Sequence, residues 1–149
     1  MIEKEIVDKM YVIYRKSCDV LNFLKGGLQE SAYHAALEWE LKQSGMKVLT
    51  EELFNIWYRG HQLNRKYKLD LVVDDSIIIE LKAKEELSSE HRLQLFNYLR
   101  LTNIQYGMLI NFGMDGNITI ERYQYLIESN EILLFDKLGN YVLKKNDLE

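Results

Sequence analysis

Leu69 to Lys84 reads LDLVVDDSIIIELKAK, two apolar runs around a short polar break, with Asp70, Glu80 and Lys82 set inside them. The pattern predicts a β-hairpin with strands at residues 62–73 and 77–83. Side chains alternate across a strand. By parity, Leu69, Leu71 and Val73 share a face with Ile77, Ile79, Leu81 and Ala83, and this odd-numbered face is expected to be core. Asp70, Glu80 and Lys82 share the even-numbered face. A three-residue loop at Asp74-Asp75-Ser76 pairs Val73 with Ile77. A two-residue loop would put the apolar sets on opposite faces. The chosen register opposes Asp70 and Glu80, with Cβ atoms expected about 4.5–5.5 Å apart. Two opposed carboxylates repel, and a divalent cation would compensate them. Lys82 projects beside the same point. The competing reading is a solvated face carrying a Glu-Lys pair and a lone Asp.

The flanking sequence sets this hairpin in a mixed α/β chain. Apolar spacing in residues 2–24 predicts one or two helices that end at Gly26-Gly27. Residues 29–44 predict a helix with Ala32, Ala36, Leu37, Trp39 and Leu41 towards the core. Lys47 to Tyr58 reads as a strand, followed by a turn at Arg59-Gly60-His61. Ser88 or Ser89 can cap a helix running to about Thr102. Tyr106–Phe112 and Ile118–Tyr123 read as strands, and the tail from Glu128 suggests a hairpin around 136–140. Trp57 and Tyr58 are candidates for core or for a dimer contact. The expected fold class is an α+β mixed sheet with helices on its faces.

Composition narrows the function. The 149 residues suit a single domain able to bury a core without disulfides, and Cys18 is the lone cysteine. The N-terminus resembles neither a signal nor a transit peptide, and no apolar run is long enough for a membrane span. A soluble cytoplasmic protein is expected. The net charge of −4 argues against broad non-specific nucleic-acid binding, yet carboxylates that hold a metal contribute to that sum. No helix-turn-helix or zinc-finger spacing is present.

Two further stretches bear on the site. GLQESAY puts Glu30 at a helix start, where a carboxylate is also favoured by the helix dipole. HRLQLFNYL puts His91, Gln94 and Tyr98 on one helical face. GLQESAY has the form G-x-x-E-x-x-Y. Together with DLVV, IIIELKA, HRLQLFNYLRLT and GMLINFG, it resembles the GxxExxY protein family of the PD-(D/E)XK nuclease-like superfamily from about Ile2 to Phe112, with the common core taken as about residues 2–122.

The resemblance implies a restriction-endonuclease-like core of helix, three antiparallel strands, helix and strand. An extra N-terminal helix precedes that core, and a β extension at 123–149 follows it. It implies magnesium, with manganese as a substitute, bound by Asp70, Glu80, the Leu81 carbonyl and Glu30. Lys82 would orient or activate the attacking water, and Gln94, Tyr98 and the neighbouring His91 would contact substrate. Nucleic acid, DNA before RNA, is the implied partner. A homodimer or partner protein would help so small a domain find its target. The chain departs from its relatives in having no histidine before His34 and in its proline-free loop CDVLNFLKGGLQ. Two other functions stay open: a catalytically silent module that binds protein or nucleic acid, and a hydrolase of small phosphoesters.

Overall fold

A computed structural model describes residues 1–142. Its helices and strands follow in the order α1 (Lys4–Leu24), α2 (Glu30–Gln43), β1 (Val48–Tyr58), β2 (His61–Val73), β3 (Ile77–Lys82), α3 (Ser89–Thr102), β4 (Tyr106–Phe112), β5 (Ile118–Leu126) and β6 (Glu131–Phe135). The strands form one sheet in chain order, β1 to β6. β3 and β4 are parallel and joined through α3, whereas the other neighbours are antiparallel. The restriction-endonuclease-like arrangement is therefore present, from α2 through β4. α1 precedes it, and β5 and β6 widen the sheet.

The stretch predicted as one or two helices forms one, Lys4–Leu24, because Ile6, Met10, Ile13, Ser17, Val20 and Leu21 keep a continuous buried stripe. The Ser17 hydroxyl is absorbed by the Ile13 carbonyl at 2.7 Å. α2 buries Tyr33, Leu37 and Leu41, spaced four apart. Trp39, expected in the core, lies 60% exposed on the far side of this stripe. Trp57 and Tyr58 are exposed as well and are not core residues. Of the predicted tail hairpin, the described residues show β6, a turn at 136–140 and a bridge from Phe135 to Tyr141. The rest of the expected extension, 143–149, lies outside the described residues.

The sheet is covered on both faces. α1 and α2 lie over Leu71, Val73, Ile77, Ile79 and Leu81. α3 lies over Leu69, Val72, Ile78 and Leu109. The expectation of a single apolar face is thereby corrected: Val72 and Ile78, on the even-numbered face, are fully packed beneath α3. This also explains the near-continuous apolar sequence of β3 and β4, since strands buried on both sides need no alternation. Alternation fails between Leu69 and Leu71. Both are odd-numbered, yet Leu69 packs with Val72 and Leu71 packs on the other side. Asp70 sits at this break. Glu51, which falls opposite it in the β1 register, has a left-handed φ of 50°.

Candidate active site

The β2–β3 register is as expected through Val73–Ile77, Val72–Ile78 and Leu71–Ile79, and the ladder ends there. Asp70 and Glu80 are therefore not a ladder pair. Their side chains replace the missing backbone partners. Asp70 Oδ2 accepts the Leu81 N–H at 2.9 Å, and Glu80 Oε1 accepts the Asp70 N–H at 3.4 Å. The two strands open at this point, and both carboxyls enter the opening. Glu80 is 2% exposed. Burial, reinforced by the Asp70 charge, pushes its pKa up to about 9, so it holds a proton at neutral pH.

β3 continues to Lys82, whose Nζ donates to Gln94 Oε1 at 3.0 Å. Gln94 Nε2 in turn donates to the Tyr98 hydroxyl at 3.0 Å. Gln94 and Tyr98 are one helical turn apart, so α3 presents both to the site from above. Burial, with the nearby Glu80 charge, raises the Tyr98 phenol to about 12. Lys82, Gln94 and Tyr98 thus form a relay from the sheet to the helix. His91 plays a different part. Its Nδ1 accepts the Ser88 N–H at 3.1 Å, while the Ser88 hydroxyl accepts the His91 N–H, which makes a capping box at the start of α3. Its pKa is lowered by burial and by Lys82 and Lys84. With Nδ1 an acceptor, the neutral ring carries its proton on Nε2 and is not poised as a base. Beside it runs a groove of about 400 Å³ lined by Tyr67, His91, Gln94, Asn97 and Tyr98.

Glu30 arrives from the opposite face of the sheet, and its loop explains the G-x-x-E-x-x-Y spacing. A Cβ on Gly26 would stand 2.5 Å from the Met114 carbonyl, so only glycine lets this loop dock on the β4–β5 turn. Gly27 takes φ +97°, a conformation open to glycine. The Tyr33 hydroxyl donates to the Lys25 carbonyl at 2.6 Å and accepts the Leu28 N–H at 3.1 Å. Its ring stacks on Phe112 at 4.7 Å. The tyrosine therefore holds the loop that sets the start of α2, and with it Glu30. The Glu30 carboxyl is raised by burial and by Asp70, while Lys82, Lys84 and His34 pull it the other way.

Asn111 escaped the sequence reading. It is 1% exposed in β4, where its Oδ1 accepts the Lys84 N–H at 2.9 Å and its Nδ2 donates to the Lys84 carbonyl at 3.0 Å. This clamp fixes the chain as it leaves Lys82. The available signal was a lone amide in the apolar run YGMLINF.

The carboxyls fit a hard divalent cation in donor type. None of the ion pairs among the described residues uses Asp70, Glu80 or Glu30. A buried, unpaired acid beside a second acid is a site that positive charge would relieve. Equally, among the described residues no three His, Cys, Asp or Glu side chains gather closely enough to hold a metal alone. Backbone oxygen, water or substrate must complete such a shell.

A sheet opened at an Asp, a Glu-x-Lys strand beside it, and a Gln-Tyr helix above define a nuclease-like fold. The chain belongs to the PD-(D/E)XK nuclease superfamily, whose family profile matches residues 7–123. Among solved structures, the crystal structure of SSO0001 is similar, with 28% identity over 60% of this chain and 46% of that one and a TM-score of 0.47. The chain spans less than half the length of that protein. No curated protein matches the chain. No helix among the described residues is long and apolar enough to cross a membrane.

Proposed function

We propose that this protein is a magnesium-dependent nuclease of the GxxExxY group, hydrolysing phosphodiester bonds in DNA in preference to RNA, with manganese able to substitute. The observation that carries this reading is the opening of the sheet at Asp70, where two carboxyls and the Lys82–Gln94–Tyr98 relay meet. Asp70, Glu80, the Leu81 carbonyl and Glu30 would hold the cation. When bound, that ion supplies charge neutralisation at the phosphate and a bound water of lowered pKa.

The chain's own groups do the rest. Lys82 directs its ammonium at the reacting phosphate, where fixed positive charge counts most in the transition state. Gln94 holds Lys82 in that direction, and Tyr98 holds Gln94. The Nε2–H of His91, beside the groove, would donate to a phosphate oxygen. Glu30 adds negative charge beside Asp70, favouring the cation over a bare proton.

One observation favours the alternative of a catalytically silent module: Asp70 and Glu80 make inward hydrogen bonds, and among the described residues no three His, Cys, Asp or Glu side chains gather closely enough to hold a metal alone. One experiment separates the two. Labelled single- and double-stranded DNA and RNA are incubated with protein and magnesium or manganese, using wild type, Asp70→Asn and Lys82→Ala. The expected outcome is metal-dependent cleavage that falls by about 10²-fold or more in both variants. Wild type that binds nucleic acid yet cleaves none of these substrates with either metal would establish the silent module.

A further inference from the structure

β2 is much longer than the strand it pairs with on its inner side. Leu71–Val73 meet β3, whereas β2 outward from Asp70 has only β1 as a neighbour. From Asn55 on β1 round to Lys66 on β2, every residue except Ile56 is exposed. A two-stranded ribbon thus projects beyond the body by roughly 20 Å. Such a ribbon has little to stabilise it in water, and its free edge invites pairing.

The composition of the ribbon is unlike that of the rest of the chain. Between Leu53 and Leu69 there are four basic residues, Arg59, Arg65, Lys66 and Lys68, and no acidic one. The chain carries −4 overall, so the remainder carries −8 against +4 in this segment. Lys68 meets Glu51 at 3.5 Å. Arg59, Arg65 and Lys66 have no ion-pair partner among the described residues. Interleaved with them, Trp57 and Tyr58 are 61% and 58% exposed, and the Arg59 guanidinium lies 5.5 Å over the Tyr58 ring. β2 then carries Tyr67, at the groove beside Gln94 and Tyr98, and reaches Asp70 three residues later.

We propose that this β1–β2 ribbon is a binding arm for single-stranded nucleic acid. Trp57 and Tyr58 stack on unpaired bases, and Arg59, Arg65 and Lys66 neutralise phosphates along the path to Asp70. Charge selects a polyanion as the occupant. A second copy of the chain, paired edge to edge about a two-fold axis, would bring the same cations against one another. Exposed aromatic rings select unpaired bases, whose faces are free to stack, over a closed duplex. The proposal rests on the nucleic-acid substrate argued above, but not on cleavage.

The test is binding of dye-labelled single-stranded oligothymidylate and of a duplex to full-length Asp70→Asn protein in chelator, followed by fluorescence anisotropy. Replacing Trp57 and Tyr58 together by Ala is expected to weaken single-strand binding about fivefold or more, with an unchanged thermal melt. The Arg65→Ala, Lys66→Ala double variant is expected to lower the slope of log K against log salt by about 1.4. In a Trp39→Phe background Trp57 is the remaining tryptophan, and its emission is expected to be quenched by the oligonucleotide. Absence of binding, or unchanged affinity and slope in both double variants, overturns the arm. So does duplex binding that is tighter and indifferent to the aromatic pair. A dimer that dissociates on loss of Trp57 and Tyr58, with oligonucleotide binding intact, assigns the ribbon to a second copy instead. Ribbon-dependent binding without cleavage by wild type keeps the arm and removes the nuclease. Metal-dependent cleavage with an unchanged KM in the aromatic variant does the reverse.

Discussion

Glu80 is the residue on which stability and chemistry meet. An ordinary glutamic acid ionises near 4.5, and here the folded state holds its proton up to about 9. The folded chain therefore binds more protons than the unfolded chain between those values. The contribution of Glu80 to stability is therefore fully present below about pH 4.5 and is lost as pH rises towards 9. Glu80→Gln removes the ionisable group while keeping an oxygen for the Asp70 N–H. In metal-free protein at pH 8 it is expected to raise stability by about 1–3 kcal/mol and the melting temperature by a few degrees, with no gain at pH 4.5. Melting curves across that range check it. A gain that is constant with pH would mean that packing, not charge, is responsible. Gln94→Ala is a second case at this scale, because in the proposed nuclease Gln94 acts through Lys82, to which it is hydrogen-bonded. Cleavage by the variant is expected to fall in kcat by about tenfold or more with little change in KM. A change confined to KM would instead make Gln94 a simple substrate contact. Asp70, Glu80 and Lys82 were legible in the sequence because their spacing in a hairpin survives any detail of packing. Their hydrogen bonds were not, since parity takes the ladder to continue past Leu71, whereas the side chains of Asp70 and Glu80 interrupt it.

The elements that carry the site are each tied down by a specific contact. Arg92 on α3 forms a two-pronged pair with Glu121 on β5 at 2.7 and 2.8 Å. The Tyr123 hydroxyl also donates to that carboxylate. Glu121 is lowered in pKa by its hydrogen bonds to Arg92 and Tyr123, against the opposing effect of burial. This pair anchors the start of α3, and so the position of Gln94 above Lys82. Asn111 secures the other end of the E-x-K strand. Asn111→Ala leaves both backbone groups of Lys84 without their partner and is expected to cost about 2–3 kcal/mol, read by urea denaturation. If Asn111→Ala proves neutral, the clamp is replaceable by water. Tyr33→Phe keeps the stacked ring but loses the bonds to Lys25 and Leu28, and about 1–2 kcal/mol is expected to go with them. Helix and strand order was readable because apolar period and turn residues are local properties. The exposure of Trp39 is not legible from residue type, because a large aromatic side chain suits a core as well as a surface. The stripe of Tyr33, Leu37 and Leu41 already fills that side of α2, and Trp39 falls outside it.

At the scale of the molecule, the sheet has a heavy half and a light one. Strands β3 and β4 are sandwiched between α1 and α2 on one side and α3 on the other, whereas the outer parts of β1 and β2 are exposed. Hydrogen exchange is expected to divide the same way. Amides of Ile77–Ile79 and Met108–Phe112 should exchange only through global unfolding, and those from Asn55 to Lys66 through small local openings. Uniform slow exchange across both groups would mean that the ribbon is held by something beyond its own ladder. Periodicity could not reveal this division. It reports which residues are apolar, not how far a strand runs past its neighbour. The break at Asp70 has one more consequence. The Leu81 amide is capped by a carboxylate oxygen rather than by a peptide carbonyl, so its proton resonance reports directly on what Asp70 is doing. Any cation or phosphate that draws Asp70 away should move that single backbone signal while leaving those of Ile77 and Ile79 in place, a built-in indicator of occupancy that needs no label beyond nitrogen-15.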